Sequence, residues 1–459
     1  MASIEATAAA PASKTGVTPR LNDLPEGELW RRRDTVLAAW RACRAHTLDL
    51  VDPLSPEDLL LQSMPDASPG KWHLAHTSWF FETFILERFE PDFRPFDEAF
   101  RVLFNSYYNG VGEQHPRAQR GLVSRPALDA VLAYRRDVDR RIERLVAETD
   151  DEAAGAEIAA LLRLGVNHEQ QHQELIVTDI KHAFAQNPAW PAVAPCPASP
   201  ADGGSGEGAV DVGGADAGTS GERGAAPGWL GVEGGTVRVG YRGAGFCFDN
   251  ERPVHEVRLG PFEIADRPVN CGEWLAFMAD GGYDEPLLWL DEGWAWRREH
   301  GIDAPGYWRR RDGAWTRFTL RGERAVDADA PVAHLSYYEA EAFARWAGNG
   351  ARLPTEAEWE TAARTHGFGV EPMGGDPAGE EFRANWEWTG SAYLPYPGFV
   401  AAAGAVGEYN GKFMVNQMVL RGRSAATPAG HERVSYRNFF PAHARWQYTG
   451  LRLARNGVD

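Results

Sequence analysis

The sequence predicts two domains of different class, an all-α helical bundle followed by a loop-rich α+β domain. Three observations carry this. Long runs with apolar residues near a 3.6-residue period fill the first part of the chain. A stretch rich in Gly, Ala, Pro, Ser and Asp, 191–227, then holds almost no large apolar residue and cannot bury a core. Beyond it, short apolar segments are split by Gly, Pro and Asn, as in an irregular sheet. A length of 459 residues fits such a division.

Taken in order, 1–20 reads MASIEATAAAPASKTGVTPR. It has no basic start followed by an apolar run, so it is expected to be a disordered tail and not a signal peptide. The bundle is expected over 21–190. Its first helix spans 26–50, with Leu29, Trp30, Val36, Leu37, Trp40 and Cys43 on one stripe. A second helix covers 71–89. A third begins after Pro126, read as a first-turn residue, and runs to about Ala147. A fourth runs from about Glu152 to Ala185, with a break expected near Gly165. Four long helices make a bundle, and the long connection 91–126 is where function often lies. The flexible linker is expected over 191–227 and the second domain over 228–459. There, strands are expected at 235–241, 254–259 and 419–423, and amphipathic helices at 337–346 and 355–364. The last opens on Thr355 as N-cap, with Glu358 completing a capping box.

Composition narrows the function. There are 47 basic against 65 acidic side chains, a net charge of −18, which argues against a nucleic-acid partner. No stretch approaches the roughly 20 apolar residues of a membrane span. The 4 cysteines, at 43, 196, 247 and 271, form no CxxC pair. A disulfide framework or zinc-thiolate knuckle is not expected, and a reducing cytoplasm fits. The aromatic supply, 17 Trp, 21 Phe and 13 Tyr, suits a pocket walled by rings.

The strongest local signal is NHEQQHQE, 167–174. His168 and His172 lie one turn apart on a helical run, so both imidazoles share a face and can share a metal. The same letters fit the HExxH zinc-protease pattern with Glu169 as base. They also fit two histidines that merely hydrogen-bond. A second cluster, WHLAH, carries His73 and His76 on another helix, and either can supply a third ligand across the bundle.

HEQQHQEL and WHLAHTSWFFE, separated by FNSYYNGVGEQHPRAQRGLVSRP, resemble the DinB-like iron-binding domain of ergothioneine-biosynthesis sulfoxide synthases. ARLPTEAEWETAAR (351–364), NWEWTGSAYLPYPGF (385–399), VLRGRSAAT (419–427) and TGLRLAR (449–455) resemble the formylglycine-generating-enzyme-like (sulfatase-modifying-factor) domain, a relative of the C-type lectin fold, that follows it in that family. The resemblance covers both domains, without tail and linker.

It implies a non-haem Fe(II) held by His76, His168 and His172, with His73 left to packing or support. Three neutral imidazoles leave open positions on the metal for substrates. The implied reaction uses O2 to join the sulfur of cysteine or a cysteine peptide to the imidazole of hercynine, giving a sulfoxide. Tyr107 and Tyr108 match the branch that carries its proton-donating tyrosine on the bundle loop; Tyr393 and Tyr396 are the alternatives in the second domain. Arg117 and Arg120 are implied to hold the carboxylate of the thiol substrate. Gln171 and Asn438 are implied around hercynine, with Phe439 as a ring beside them. Members using γ-glutamylcysteine carry an Asp and an Arg where Phe440 and Ala444 stand here, so free cysteine is the expected sulfur donor.

Rival readings meet obstacles. A formylglycine-type oxidase needs a late cysteine pair, and no Cys follows Cys271. A zinc protease needs Glu169 at the metal and a further ligand, and the next histidine, His182, lacks the usual spacer. A synthase that joins selenium to hercynine shares the whole site and differs only in its donor.

Overall fold

The computed structural model describes residues 20–193, 226–369, 384–403 and 405–457. The expected tail, apart from Arg20, lies outside them, as does the expected linker apart from 191–193 and 226–227.

Three single 3-10 turns precede α1 (Arg33–Val51), so the first helix is α-helical only from Arg33 and not from 26. Arg32, at φ −107° and ψ 25°, sits outside the helical region, and Gly27 weakens the turn before it. Every residue of α2 (Gly70–Phe81) is buried, which makes it the central helix. It runs on through a wide π-type turn, Glu82–Leu86, into α3 (Glu87–Phe89). The long connection contains α4 (Phe100–Leu103) and a 3-10 helix, Arg117–Leu122, that carries Arg117 and Arg120. Next comes α5 (Leu128–Glu148), whose cap is the extended Ala127, so Pro126 stands outside the helix and not in its first turn. The Asp151 carboxylate accepts from Ala153 N and caps α6 (Glu152–Ala185).

No break occurs in α6 at Gly165. A Cβ there would lie 2.3 Å from Cε1 of Phe81, so the glycine lets α2 and α6 approach each other.

The second domain is built on β1 (Trp229–Val232), β2 (Gly235–Val239), β3 (His255–Leu259), β4 (Phe262–Ala265), β5 (Trp308–Arg311), β6 (Ala314–Thr319), β7 (Gly322–Ala325), β8 (Trp386–Ala392), β9 (Met418–Gly422), β10 (Asn438–Phe440), β11 (Thr449–Leu451) and β12 (Ala454–Asn456). Its helices are α7 (Cys271–Ala279), α8 (Asp291–His300), α9 (Tyr337–Ala347) and α10 (Glu356–His366). The Thr355–Glu358 capping box is present. One sheet matters for the site: its order is β10-β9-β8-β11, antiparallel except for the parallel β8–β11 pair, with a bulge in β8 after Trp388.

One hydrophobic core runs through both halves. Polar anchors pin α6 to the second domain. The Glu174 carboxylate accepts from Trp386 Nε1 at 2.7 Å, Ser424 Oγ at 2.6 Å and Thr427 Oγ1 at 2.9 Å. Lys181 Nζ lies 2.8 Å from His334 Nε2. Val193, expected in the flexible linker, instead donates its N–H to Leu320 O at 2.8 Å, beside Trp190 stacked under Arg309.

Candidate metal centre and substrate cavity

His76 on α2 and His168 and His172 on α6 offer nitrogens that all lie within 4.8 Å of one another, and all three residues are buried. Burial holds the three imidazoles neutral, lowering His168 to about 3 and the other two well below their ordinary value. His76 Nδ1–H donates to Phe104 O at 2.6 Å, which leaves its Nε2 lone pair aimed at His168 Nε2, 3.1 Å away. Two neutral imidazole nitrogens at that distance call for a proton or a cation between them. The donor set therefore fits a divalent metal bound by three nitrogens with positions left open.

His73, one turn before His76, meets His172 Nδ1 through its own Nδ1 at 2.8 Å and does not join the cluster. His182 pairs with Ser63 Oγ at 2.6 Å and is also outside it.

Glu169 faces away from the histidines. Its carboxylate binds Arg44 Nη1 at 3.0 Å, Thr47 Oγ1 at 2.6 Å and Arg135 Nη2. Burial raises its pKa, but Arg135 and Arg44 outweigh that and hold it at about 2. A carboxylate so placed cannot act as base at the metal, which removes the ground for the protease reading.

His168 and His172 line a cavity of about 370 Å³ between the two halves, with His76 buried behind them. Tyr107, Arg117, Arg120, Gln171, Asn438, Phe439 and Phe440 all line it. Tyr108 does not: it is fully buried behind Tyr107, ring stacked on ring at 4.7 Å, and its hydroxyl has no hydrogen-bond partner among the described residues. Burial raises both hydroxyls above the ordinary tyrosine range. The tyrosine loop is held from the second domain. Glu408 accepts from Asn109 N at 3.0 Å and Gly110 N at 2.6 Å, and Lys412 donates to Tyr107 O.

Arg120 lies 3.5 Å over the Trp72 ring and donates to Ser68 Oγ at 2.9 Å and Ser106 Oγ at 3.3 Å. Burial, with Arg117 nearby, lowers it to about 9, so an anion seated between the two arginines would relieve their repulsion. Gln171 donates to Tyr436 Oη at 2.6 Å and accepts from Tyr409 Oη. Asn438 Oδ1 turns back to accept from Phe439 N at 2.9 Å.

Tyr393 and Tyr396 do not line the cavity. Tyr393 stacks beneath Phe439 at 4.0 Å, while Tyr396 binds Arg421 Nη2 at 2.8 Å and Glu356. Ala444 is buried and away from the cavity. Sequence reasoning missed Tyr409, Tyr436, Phe248 and Phe413, which wall the same space. Tyr409 stacks on Phe248 at 5.3 Å and stands 5.8 Å from the His168 ring.

A buried three-nitrogen cluster beside a ring-walled cavity defines a metalloenzyme that takes small substrates. Comparison with known proteins makes this specific. The sulfatase-modifying factor enzyme 1-like domain family matches residues 216–385, and the DinB superfamily matches 39–176. The chain is 32% identical over 455 residues to a hercynine oxygenase of Mycolicibacterium thermoresistibile, covering 90% of this chain and 92% of that one. It is 33% identical over 461 residues to the hercynine oxygenase of Mycolicibacterium smegmatis, covering 92% and 99%. With that of Mycobacterium tuberculosis it shares 38% over 240 residues, covering 45% and 55%. The chain belongs to the hercynine oxygenase family and is an oxygenase.

Proposed function

We propose that this oxygenase joins the sulfur of free cysteine to the imidazole ring of hercynine, using O2 and an Fe(II) held by His76, His168 and His172. The thiol S–H and a ring C–H bond are broken, and C–S and S–O bonds are made. O2 accepts four electrons, and its second oxygen leaves as water. The observation that carries this reading is the convergence of three neutral imidazoles, two of them on the wall of a cavity that also holds an arginine pair, a tyrosine and a wall of rings.

Bound iron would supply open coordination positions and the redox chemistry that O2 needs. The chain's own residues do the rest. Arg117 and Arg120 hold the cysteine carboxylate and so fix the thiol end toward the histidines. Gln171 and Asn438 orient hercynine. Its trimethylammonium group offers no N–H, so the faces of Phe439, Phe248 and Tyr409 suit it. Tyr107 keeps a proton at the cavity edge and delivers it, which diverts the reaction from plain oxidation of the thiol to its sulfinic acid. Tyr108 backs Tyr107 and excludes water behind it. The uncharged Phe440 on the cavity wall offers no grip for a γ-glutamyl group, which supports free cysteine as donor. The three described cysteines are free thiols, in keeping with a reducing cytoplasm.

The test is anaerobic loading with Fe(II), then addition of hercynine, cysteine and O2, with the product read by mass. Equal amounts of γ-glutamylcysteine and a selenosugar compete in the same vessel. Hercynylcysteine sulfoxide as main product supports the reading. Preference for either competitor overturns the donor assignment, and equal turnover with zinc in place of iron overturns the metal.

A further inference from the structure

His73 is the one histidine of the two clusters that the proposed chemistry leaves without a task. It is 1% exposed, and its two ring nitrogens bind different partners. Nε2 lies 3.2 Å from Asp179 Oδ2, and Nδ1 lies 2.8 Å from His172 Nδ1. Asp179 Oδ2 also accepts the N–H of Ser68 at 2.8 Å, and the Ser68 hydroxyl accepts from Arg120 Nη1 at 2.9 Å.

The positions of the protons follow from the carboxylate. Asp179 Oδ2 is an acceptor, already taking the Ser68 N–H, so the hydrogen between it and His73 sits on His73 Nε2. A neutral His73 then presents a bare Nδ1, and the hydrogen in the next contact must sit on His172 Nδ1. That leaves the His172 Nε2 lone pair free. His76 has its tautomer set by Phe104 O, whereas His168 Nδ1 has no partner among the described residues.

We propose that His73, oriented by Asp179, is a positioning residue that fixes the tautomer and ring angle of His172 and raises its strength as a metal ligand. The inference rests on the metal reading of the three-histidine cluster but on nothing about substrates. It extends the usual carboxylate–histidine–metal arrangement by one imidazole. Asp179 is itself fixed by Ser68, the residue on which Arg120 also lands, so the relay is anchored at the Arg120 end of the cavity.

The experiment measures Fe(II) affinity anaerobically, without substrate, in the full chain and in His73→Leu, His73→Gln and Asp179→Asn. The electron paramagnetic resonance signal of each nitric oxide adduct reports ligand geometry. His73→Leu should weaken Fe(II) binding by roughly 10–100-fold and alter the signal. His73→Gln can accept from His172 with Oε1 and donate to Asp179 with Nε2, so it should stay near wild type in both. Asp179→Asn should fall between. Wild-type affinity and signal in His73→Leu would overturn the relay, as would equal losses in the Leu and Gln variants, since packing alone predicts those. If His73→Leu does not fold, Asp179→Asn decides: weakened binding supports the relay and unchanged binding overturns it. A wild-type protein that binds no Fe(II) would overturn both the relay and the iron reading.

Discussion

Replacing Glu174 by Ala removes the acceptor that ties α6, the helix of His168 and His172, to the second domain. Its carboxylate receives hydrogen bonds from Trp386 Nε1, Ser424 Oγ and Thr427 Oγ1. Trp386 and Ser424 are at most 1% exposed, so neither donor finds bulk water once the carboxylate is gone. Each stranded buried donor costs about 1–3 kcal/mol. Ser424 can still turn toward Thr427 Oγ1, 3.4 Å away, which recovers part of its share. Burial raises the pKa of Glu174, so its charged form is already disfavoured and deletion gives some of that back. The balance is a loss of about 3 kcal/mol for Glu174→Ala. Glu174→Gln, which keeps one acceptor oxygen, should lose about 1 kcal/mol. Urea unfolding measures both. Gln171 lies one turn earlier on the same helix and reaches Tyr436 and Tyr409 across the junction, so KM for hercynine should rise in the Ala variant. A change below about 1 kcal/mol, with KM unaltered, would refute the view that Glu174 holds the halves in register.

Further outcomes follow from the same geometry. Alanine at His76, His168 or His172 should abolish Fe(II) binding and turnover, read by metal analysis of the purified variants. Tyr107→Phe should slow the sulfoxide-forming step by roughly 10²–10⁴-fold and raise the yield of cysteine sulfinic acid, while Tyr108→Phe, whose hydroxyl does not reach the cavity, should shift the product ratio less. Burial raises the Tyr107 pKa above its ordinary value of about 10, and an acid with a raised pKa keeps its proton as pH rises. The ratio of sulfoxide to sulfinic acid should therefore stay flat from about pH 7 to 10, and a fall centred within that range would remove Tyr107 as the donor. Glu169→Gln should cost about 3–5 kcal/mol in thermal or chemical unfolding by stranding Arg44 and Arg135, with no peptidase activity gained or lost.

How far the sequence reaches depends on the range of the interaction. The i, i+4 pair His168 and His172 is legible because helical periodicity alone sets both on one face. The choice between His73 and His76 is not, since residues three apart share a helix face and only the packing of α2 against α6 aims one at His168 and the other at His172 Nδ1. Gly165 misleads for a related reason. Within one segment a glycine reads as a weak point, but its use here is to let Phe81 of another helix come close. Glu169 fits a catalytic pattern in one dimension and is an ion-pair anchor in three, because Arg44 and Arg135 arrive from two other helices. Tyr409 and Tyr436 escape notice altogether. They sit in irregular segments without periodicity, and their contacts with Gln171 span 238 and 265 residues.

This difference in range divides the site into two parts with separate dependences. The three clustered histidines and both cavity arginines belong to the first 180 residues, held by helix packing and by the buried Glu169 cluster, whereas Tyr107, on the same stretch, is also held by Glu408 and Lys412 of the second domain. Asn438, Phe439, Phe248 and Tyr409 come from the second domain and reach the histidines only while the domains are docked. Iron and cysteine binding should thus tolerate damage to the junction that hercynine binding does not. Glu174→Ala separates the cases: retained Fe(II) and cysteine affinity with weakened hercynine affinity agrees with this division, whereas parallel loss of all three would mean that the second domain is needed to form the metal site itself.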